Sequence, residues 1–480
     1  MSKDNKLKTI KTPSPIKYDS SLDDKHTRVL DRRLGNKDVN PLLKINYDGR
    51  NFKDTKGPRS YNLPSLSKGE KRGRFLFVMM DQYDKIPQWT YGPAFLASVL
   101  EKNDYEVEIF NGTVFHLTPK DLDKFDFIGF GYLTNYVHDV IRHIKVCRAT
   151  SPESKIILGG NGLSPLPAFY LSKTGADYGV SGEAETSLLN LVNALTAGES
   201  PENIPSVSFR DGEDIYVSDL REPVPDILEI PLPAYHLFPI ESYVWYSPRG
   251  YHKGVKAFNF ISSRGCPFRC NFCYRLEEGF RYRPFDQLLA EFSFLNERYG
   301  ISHFFMSDEL FMTSKKHVVA FSDQLTKAMD TGIIPRITWE TTGRLNIVDQ
   351  NVANAMAAAG CVRILYGLES GDTKVLELMN KKTTNEMIES GLKATIKAGM
   401  EVNLPCMFGN IGETEQSVKK TVEILKKYSG SDERLLRPVT PYPGSPLYKY
   451  ALDKGLLRDH EHFWEISKNP DLLTINFTDM

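Results

Sequence analysis

Cysteine is scarce in this sequence, with six among 480 residues. So few cannot build a disulfide framework, and any that cluster point instead to metal binding or catalysis in a reducing compartment. Long hydrophobic runs are missing as well: none approaches the roughly 20 residues that a membrane-spanning helix needs. The N-terminus, MSKDNKLKTI, lacks the apolar core and cleavage pattern of a secretory signal. These absences predict a cytoplasmic protein with no membrane span. No G-x-G-x-x-G is followed by an acidic residue about 20 positions later, which argues against a dinucleotide as the natural ligand. Short-period repeats and low-complexity tracts are absent too. What remains is the composition of a globular chain, 41% hydrophobic and 25% charged, long enough for roughly two or three domains.

Charge is nearly balanced overall, at −1, but not along the chain. Residues 1–72 carry 18 Lys and Arg against 9 Asp and Glu. This stretch is polar, dotted with Pro, Ser, Asn and Gly, and without periodicity, so it reads as a basic, flexible or draped extension. A nucleic-acid or acidic-partner contact and packing over a cofactor are the other readings of this stretch. Nucleic acid is not an expected partner.

From residue 75 the pattern changes. FLFVMM (75–80), YEVEIFNG (105–112), FDFIGFGYL (125–133), KIILGGNG (155–162) and ADYGVSGEAE (176–185) read as strands, with helical stretches between them. That alternation predicts an α/β fold, a doubly wound parallel sheet over 73–200. Ligands of such sheets sit beyond the carboxyl ends of the strands. Those ends carry Gly131, Thr134, Gly159, Gly160, Asn161, Gly162, Gly182 and Glu183. Any one of these glycines alone is a tight turn; several at the same end of successive strands suggest a ligand site, since glycine lets backbone approach closely. Residues 201–254 read as a linker, a small hairpin followed by a proline-rich stretch. From 257, six further β/α units predict a parallel barrel over 255–448 with chemistry at its carboxyl ends. A short tail occupies 449–480.

The stretch SSRGCPFRCNFCY (262–274) places Cys266, Cys270 and Cys273 directly after the first strand of the second half. Three thiolates on one loop suit a metal or a cluster. Structural zinc normally takes four ligands in two pairs, and a 4Fe–4S cluster normally takes four cysteines. The other cysteines, Cys147, Cys361 and Cys406, are isolated. A cluster held here would keep one iron free for a substrate or cofactor. Cys147 reads as core and Cys406 as a barrel-strand residue. Lys381 and Lys382 read as a solvated pair, and His460 and His462 as a solvated helix start.

C-x3-C-x-(aromatic)-C after the first strand of a β/α barrel resembles the signature of radical S-adenosylmethionine (radical SAM) enzymes. The resemblance implies that Cys266, Cys270 and Cys273 hold a 4Fe–4S cluster and that its open iron chelates S-adenosylmethionine. One electron then gives methionine and a 5′-deoxyadenosyl radical. It implies a role for Phe272 near the adenine, with Tyr274 beside it. FFMSDELF is similar to the family's second-strand motif, which implies that Ser307, Asp308 and Glu309 lie near the methionine moiety, with Glu309 on its ammonium. TWETTGR resembles the fourth strand, making Glu340 and Arg344 candidates for the cofactor's ribose and carboxylate. ILYGLESG resembles the fifth, with Glu369 facing the site. FGNIGETEQS resembles the loop written G-x-P-G-E-T, departing at Asn410 and Ile411.

TPYPGSPLY and the doubly wound first domain narrow the resemblance to the cobalamin-binding radical SAM class over about 75–478. The class implies a Rossmann-like cobalamin-binding domain followed by a partial (β/α)6 radical SAM barrel. WTYGPAFLASVLEKNDYEVEIFNG, ILGGNGLSPLP and GADYGVSGEAE carry that part, and the glycine-rich strand ends above would line the corrin. No D-x-H-x-x-G supplies a histidine to cobalt. The implied activity is methyl transfer from cobalamin to an unactivated carbon; a cobalamin-dependent rearrangement or cyclisation, or a cluster-bearing redox protein, are the alternatives. The implied partners are a flavodoxin- or ferredoxin-type electron donor and a small-molecule, lipid or peptide substrate. The motifs end near 448, where relatives often continue into a helical domain. A substrate-closing element is then absent or supplied by the N-terminal extension or a partner.

Overall fold

The computed structural model describes residues 71–80, 82–83, 86–87, 89–111, 122–246, 254–277, 279–428, 436–468, 475–478 and 480. The basic extension therefore lies outside the described residues. The described chain divides into two compact units at Pro225 and Asp226.

The first unit is built on strands β1 (Gly73–Met79), β2 (Tyr105–Asn111), β3 (Phe127–Gly131), β4 (Lys155–Gly159) and β5 (Tyr178–Val180), with helices α1 (Tyr91–Lys102), α2 (Val137–Thr150), α3 (Pro167–Thr174) and α4 (Glu185–Ala197) between them. Phe75–Met79 and Phe127–Phe130 are buried without alternation, as expected of parallel strands covered on both faces. Helix α1 packs with α4, and α2 with α3. Gly175 and Gly198 end α3 and α4 in the left-handed conformation that glycine takes without strain.

The sheet order is β2-β1-β3-β4-β5 and then β6 (Val207–Asp211) and β7 (Asp214–Val217), which add antiparallel. The hairpin expected at the head of the 201–254 linker is thus part of this sheet, and it covers the edge that β5 would otherwise leave unpaired. The order in which strands are added switches sides between β1 and β3, the place where such sheets open a crevice for ligands.

The second unit carries a six-stranded sheet in the order β8 (Trp245–Tyr246), β9 (Lys256–Phe260), β12 (His303–Met306), β13 (Thr338–Gly343), β14 (Cys361–Tyr366), β15 (Glu401–Asn403). All but the edge strand β8 run parallel. A separate parallel ladder joins β16 (Cys406–Phe408) to β17 (Leu436–Pro438), and a bridge from Glu369 to Cys406 links it back. Helices α5 (Phe285–Tyr299), α6 (Lys315–Asp330), α7 (Gln350–Ala358), α8 (Thr373–Leu378), α9 (Asn385–Lys397) and α10 (Glu415–Tyr428) follow the strands.

One face of the sheet takes these helices. Phe260 stacks on Phe292 of α5, Trp339 meets Phe321 of α6, and Tyr366 shares a 2.8 Å hydrogen bond with Thr395 of α9. The alternate residues, Thr338, Glu340 and Thr342 on β13 among them, lie on the opposite face, helix-free among the described residues. Counted along the parallel strands from β9, Thr338–Gly343 is the third and Cys361–Tyr366 the fourth, one fewer in each case than the sequence resemblance suggested. After α10 the chain ends in α11 (Pro446–Asp453) and α12 (His460–Ile466), which build a small core of Val439, Leu447, Tyr448, Ala451, Leu457, Phe463 and Phe477.

Candidate functional site

The three clustered cysteines lie on a loop between two short antiparallel strands, β10 (Ser263–Gly265) and β11 (Phe280–Tyr282). Gly265, just before Cys266, sits at φ +82, and a Cβ there would lie 2.5 Å from the Gly279 carbonyl. Only glycine fits this crossing.

The base of the loop is held by buried charge. Arg283 pairs with Glu291, both almost wholly buried, and gives Nη1–H to the Ile261 carbonyl at 2.8 Å. Tyr235 donates to the other Glu291 oxygen at 2.8 Å. Asp308 accepts from the Ser262 backbone N–H at 2.9 Å and from the hydroxyls of Ser262 and Ser263, the latter at 2.5 Å. Its carboxylate is therefore engaged in fixing the chain that leads into the cysteines.

Burial pushes the Asp308 carboxyl up from 3.8 to about 6 against the pull of those serine donors. A carboxyl raised in the folded state holds its proton there at pH values where the unfolded chain has lost it. Its contribution to stability is then fullest below about pH 4 and falls as pH rises towards 6. Two pKa units correspond to about 3 kcal/mol. Between pH 4 and 7, wild type should lose up to about that much more stability than Asp308→Asn, measured as urea unfolding of both proteins. Parallel profiles would show that Asp308 does not carry this dependence.

The loop itself is clamped by the turn after α8. Asn271 N–H donates to Met379 O at 3.0 Å, Asn271 Nδ2 to Leu378 O at 2.9 Å, and Asn380 Nδ2 to Arg269 O at 2.6 Å. From the other side Leu447 N–H, at the start of α11, donates to Asn271 O at 2.8 Å. Phe272 packs against the small C-terminal core. Tyr274 is half-buried.

Arg344 lies against the cysteines. Its guanidinium stacks 3.8 Å from the Phe268 ring centroid, points Nη1 at Cys270 Sγ at 3.4 Å, and donates through Nη2 to the Lys381 carbonyl. Lys381 was expected to be solvated with Lys382; it is instead 7% exposed and pairs with Glu369 at 2.7 Å. Its Nζ also lies 5.8 Å from the Phe272 ring centroid. Only Lys382 is exposed. Sequence reading missed Lys381 because a Lys-Lys dipeptide carries a surface signature, and its partner is 12 residues upstream.

Among the other expected site residues, Ser307 and Glu309 are exposed. Burial pushes the Cys266 thiol up, and the charge of Glu309 adds to the rise, which puts Glu309 near that cysteine. Glu340 is already engaged by its neighbours. Burial alone would raise its carboxyl, but His303 and Arg363 outweigh it and hold it below the usual range. Glu340 is thus committed to Arg363 and His303 on the helix-free face. Glu369 adopts φ +60, a left-handed backbone rarely held by residues with a side chain. Cys147 and Cys406 are buried, with thiols pushed up to about 12 by burial. Cys361, also buried, is raised for the same reason.

In the first unit, Gly131 and Gly159 are the last residues of strands β3 and β4, and Thr134, Gly160, Asn161, Gly162, Gly182 and Glu183 fall just beyond the carboxyl ends of β3, β4 and β5. They are not equivalent. A Cβ at Gly131 would meet nothing within 4 Å, whereas at Gly162 it would lie 2.3 Å from the Tyr132 ring. Gly162 therefore serves loop packing. Ser164 ties the rim together, donating to Gly160 O at 2.9 Å and accepting from Gly182 N–H at 3.1 Å.

A parallel α/β sheet with three thiols on the loop beyond its first parallel strand makes that loop a candidate cofactor site. The model of the Radical SAM superfamily matches residues 260–425, and the chain carries a radical SAM domain there. The chain is 28% identical over 377 residues, 76% of this chain and 79% of the relative, to an uncharacterized methyltransferase of Pyrococcus horikoshii. It is 24% identical over 390 residues, 78% of this chain and 68% of the relative, to an anaerobic magnesium-protoporphyrin IX monomethyl ester cyclase of Rubrivivax gelatinosus. The radical S-adenosylmethionine methyltransferase TsrM of Kitasatospora setae, solved with cobalamin and a 4Fe–4S cluster bound, superposes with a TM-score of 0.65 at 18% identity, over 80% of this chain and 75% of that one. At that identity the likeness establishes the fold.

A radical SAM domain takes a 4Fe–4S cluster and S-adenosylmethionine, and the donor set fits. Among the described residues no three metal-ligating side chains close on a single ion. A zinc site would draw its ligands to about 2.3 Å from one centre. A cluster instead places each thiolate on a different iron, which suits three cysteines spread along one loop. No helix among the described residues is long and apolar enough to cross a membrane.

Proposed function

We propose that this radical SAM enzyme is cobalamin-dependent and methylates an unactivated carbon. In this reading the second unit is a partial (β/α)6 barrel whose interior is the helix-free face, and the first is a Rossmann-like cobalamin-binding domain. The observation that carries the radical chemistry is the clamped three-cysteine loop with Arg344 against Cys270. When bound, the cluster supplies the electron that splits S-adenosylmethionine into methionine and a 5′-deoxyadenosyl radical, and cobalamin supplies the methyl group.

The chain's own residues prepare the site. Cys266, Cys270 and Cys273 would hold the cluster, and Glu309, whose charge acts on Cys266, would take the cofactor's ammonium. An ammonium drawn out of water needs such a carboxylate. Gly131 leaves open space at the β1/β3 switch point for the corrin. The strand-end residues Thr134, Gly159, Asn161 and Glu183 extend that rim. The methyltransferase relative and the fold of TsrM support methyl transfer, while the cyclase relative favours a second reading, cobalamin-dependent cyclisation. A flavodoxin- or ferredoxin-type donor would deliver the electron.

Two measurements test this. Anaerobically reconstituted protein with dithionite should convert S-adenosylmethionine to 5′-deoxyadenosine; no product above a cluster-free sample defeats the radical reading. Protein made with a cobalamin supply should keep the corrin through a desalting column near one per chain, and full separation defeats the cobalamin assignment alone.

A further inference from the structure

The helix-free face of the second sheet has two kinds of polar residue. Towards the amino ends of the strands its charges are mutually satisfied. His303 shares a 2.9 Å hydrogen bond with Thr338 and approaches Glu340, which pairs with Arg363. Glu401, on the same face of β15, is exposed at the strand's start. One row nearer the carboxyl ends, Thr342, Leu365 and Asn403 stand in register across β13, β14 and β15.

That row is not satisfied. Asn403 is 1% exposed, yet neither its amide nitrogen nor its amide oxygen has a hydrogen-bond partner among the described residues. The buried hydroxyl oxygen of Thr342 has none either. Buried polar groups in native proteins are almost always paired, because an unpaired amide in an apolar setting is strongly disfavoured. Thr342 and Leu365 keep partial exposure, so the row can be reached.

We propose that Thr342 and Asn403 form a substrate subsite for a neutral group carrying both a donor and an acceptor, an amide or hydroxyl on an otherwise apolar molecule. Asn403 offers one donor and one acceptor face, Thr342 a rotatable hydroxyl, and Leu365 an apolar surface between them. The buried charges beside the row, Glu340, Arg363 and His303, already engage one another and Glu401 is an anion, so nothing in the row selects a phosphate or carboxylate. The proposal rests on reading this face as the interior of the radical barrel.

Benzamide and benzoate test it, since they share a ring and differ in the charge of the group it bears. In thermal unfolding of the full chain, benzamide should raise the transition of the second unit and benzoate should not. Asn403→Leu and Thr342→Val should each abolish the response. Asn403→Leu should also unfold at a higher temperature than wild type without probe, because it removes an unpaired amide. The near-isosteric Thr342→Val keeps the test readable should Asn403→Leu fail to fold. Benzamide without effect on wild type overturns the subsite. So does an equal response to benzoate, and so does a lower transition temperature for Asn403→Leu, which would assign the amide to a structural water. Tenfold weaker S-adenosylmethionine binding by Asn403→Leu would move the amide to the cofactor and equally overturn the proposal. Failure to form 5′-deoxyadenosine is a separate outcome, since the benzamide response needs no radical chemistry.

Discussion

Replacing Cys270 with alanine should reduce 5′-deoxyadenosine formation to background and strip most of the iron, whereas Cys361→Ala and Cys406→Ala should leave both near wild type. The six cysteines differ in what surrounds them. Cys270 is on the clamped loop, 3.4 Å from the Arg344 guanidinium, and its neighbours Cys266 and Cys273 share that loop. Cys406 turns its thiol to the Leu404 carbonyl at 3.4 Å, and Cys361 turns its own to the Arg363 carbonyl at 3.7 Å. Both are core side chains, with thiols that burial holds protonated at neutral pH. Loss of a group that merely supports a metal ligand typically lowers affinity or activity by about 10–100-fold. Loss of one of the three proposed ligands should exceed that. Iron content, the visible absorption of the cluster and product formation under dithionite provide the measurement. Circular dichroism of Cys270→Ala guards against simple unfolding. Equal loss from Cys406→Ala would mean that the ligand set extends beyond the loop.

The cysteine loop was readable because its logic is local: three thiols within eight positions, after a strand and beside a required glycine. The strands were readable for the same reason, since the short apolar runs of each sheet sit between turn glycines. What escaped the sequence was long-range. The carboxylates of SDE and TWE look alike in sequence, yet Glu309 is exposed while Glu340 is bound to Arg363, 23 residues on, and approaches His303, 37 residues back. Asp308 is taken up by serines 46 and 45 residues upstream. The hairpin of β6 and β7 was visible, but its attachment to β5 was not, since edge pairing leaves no periodic mark. The C-terminal segment showed only recurring motifs. Its Leu447 N–H in fact reaches the middle of the cysteine loop.

Lys381→Met should destabilise the second unit by about 3–5 kcal/mol, the usual result of stranding one member of a buried ion pair. Lys382→Met, one residue on and exposed, should change stability by no more than about 0.5 kcal/mol. The side chains of Lys381 and Glu369 are only 8% and 12% exposed, so neither charge can turn to water without opening the site. Glu369→Gln should destabilise by a comparable amount. The double variant Glu369→Gln with Lys381→Met should recover much of the loss, because it leaves no unpaired charge behind. A coupling of roughly 0.5–3 kcal/mol is the range for side chains in contact. Urea unfolding of the four proteins completes the cycle; additive losses would show that the pair is not coupled. The effect should also reach the iron. Arg344 donates to the Lys381 carbonyl and touches Cys270, and Glu369 holds its left-handed backbone through Pro405 O and Met407 N–H. Loosening the turn at 380–382 therefore releases the guanidinium and the loop together. Lys381→Met should retain less iron than Lys382→Met even under conditions where both remain folded. Equal iron retention would confine the ion pair to stability and separate it from the cysteine loop.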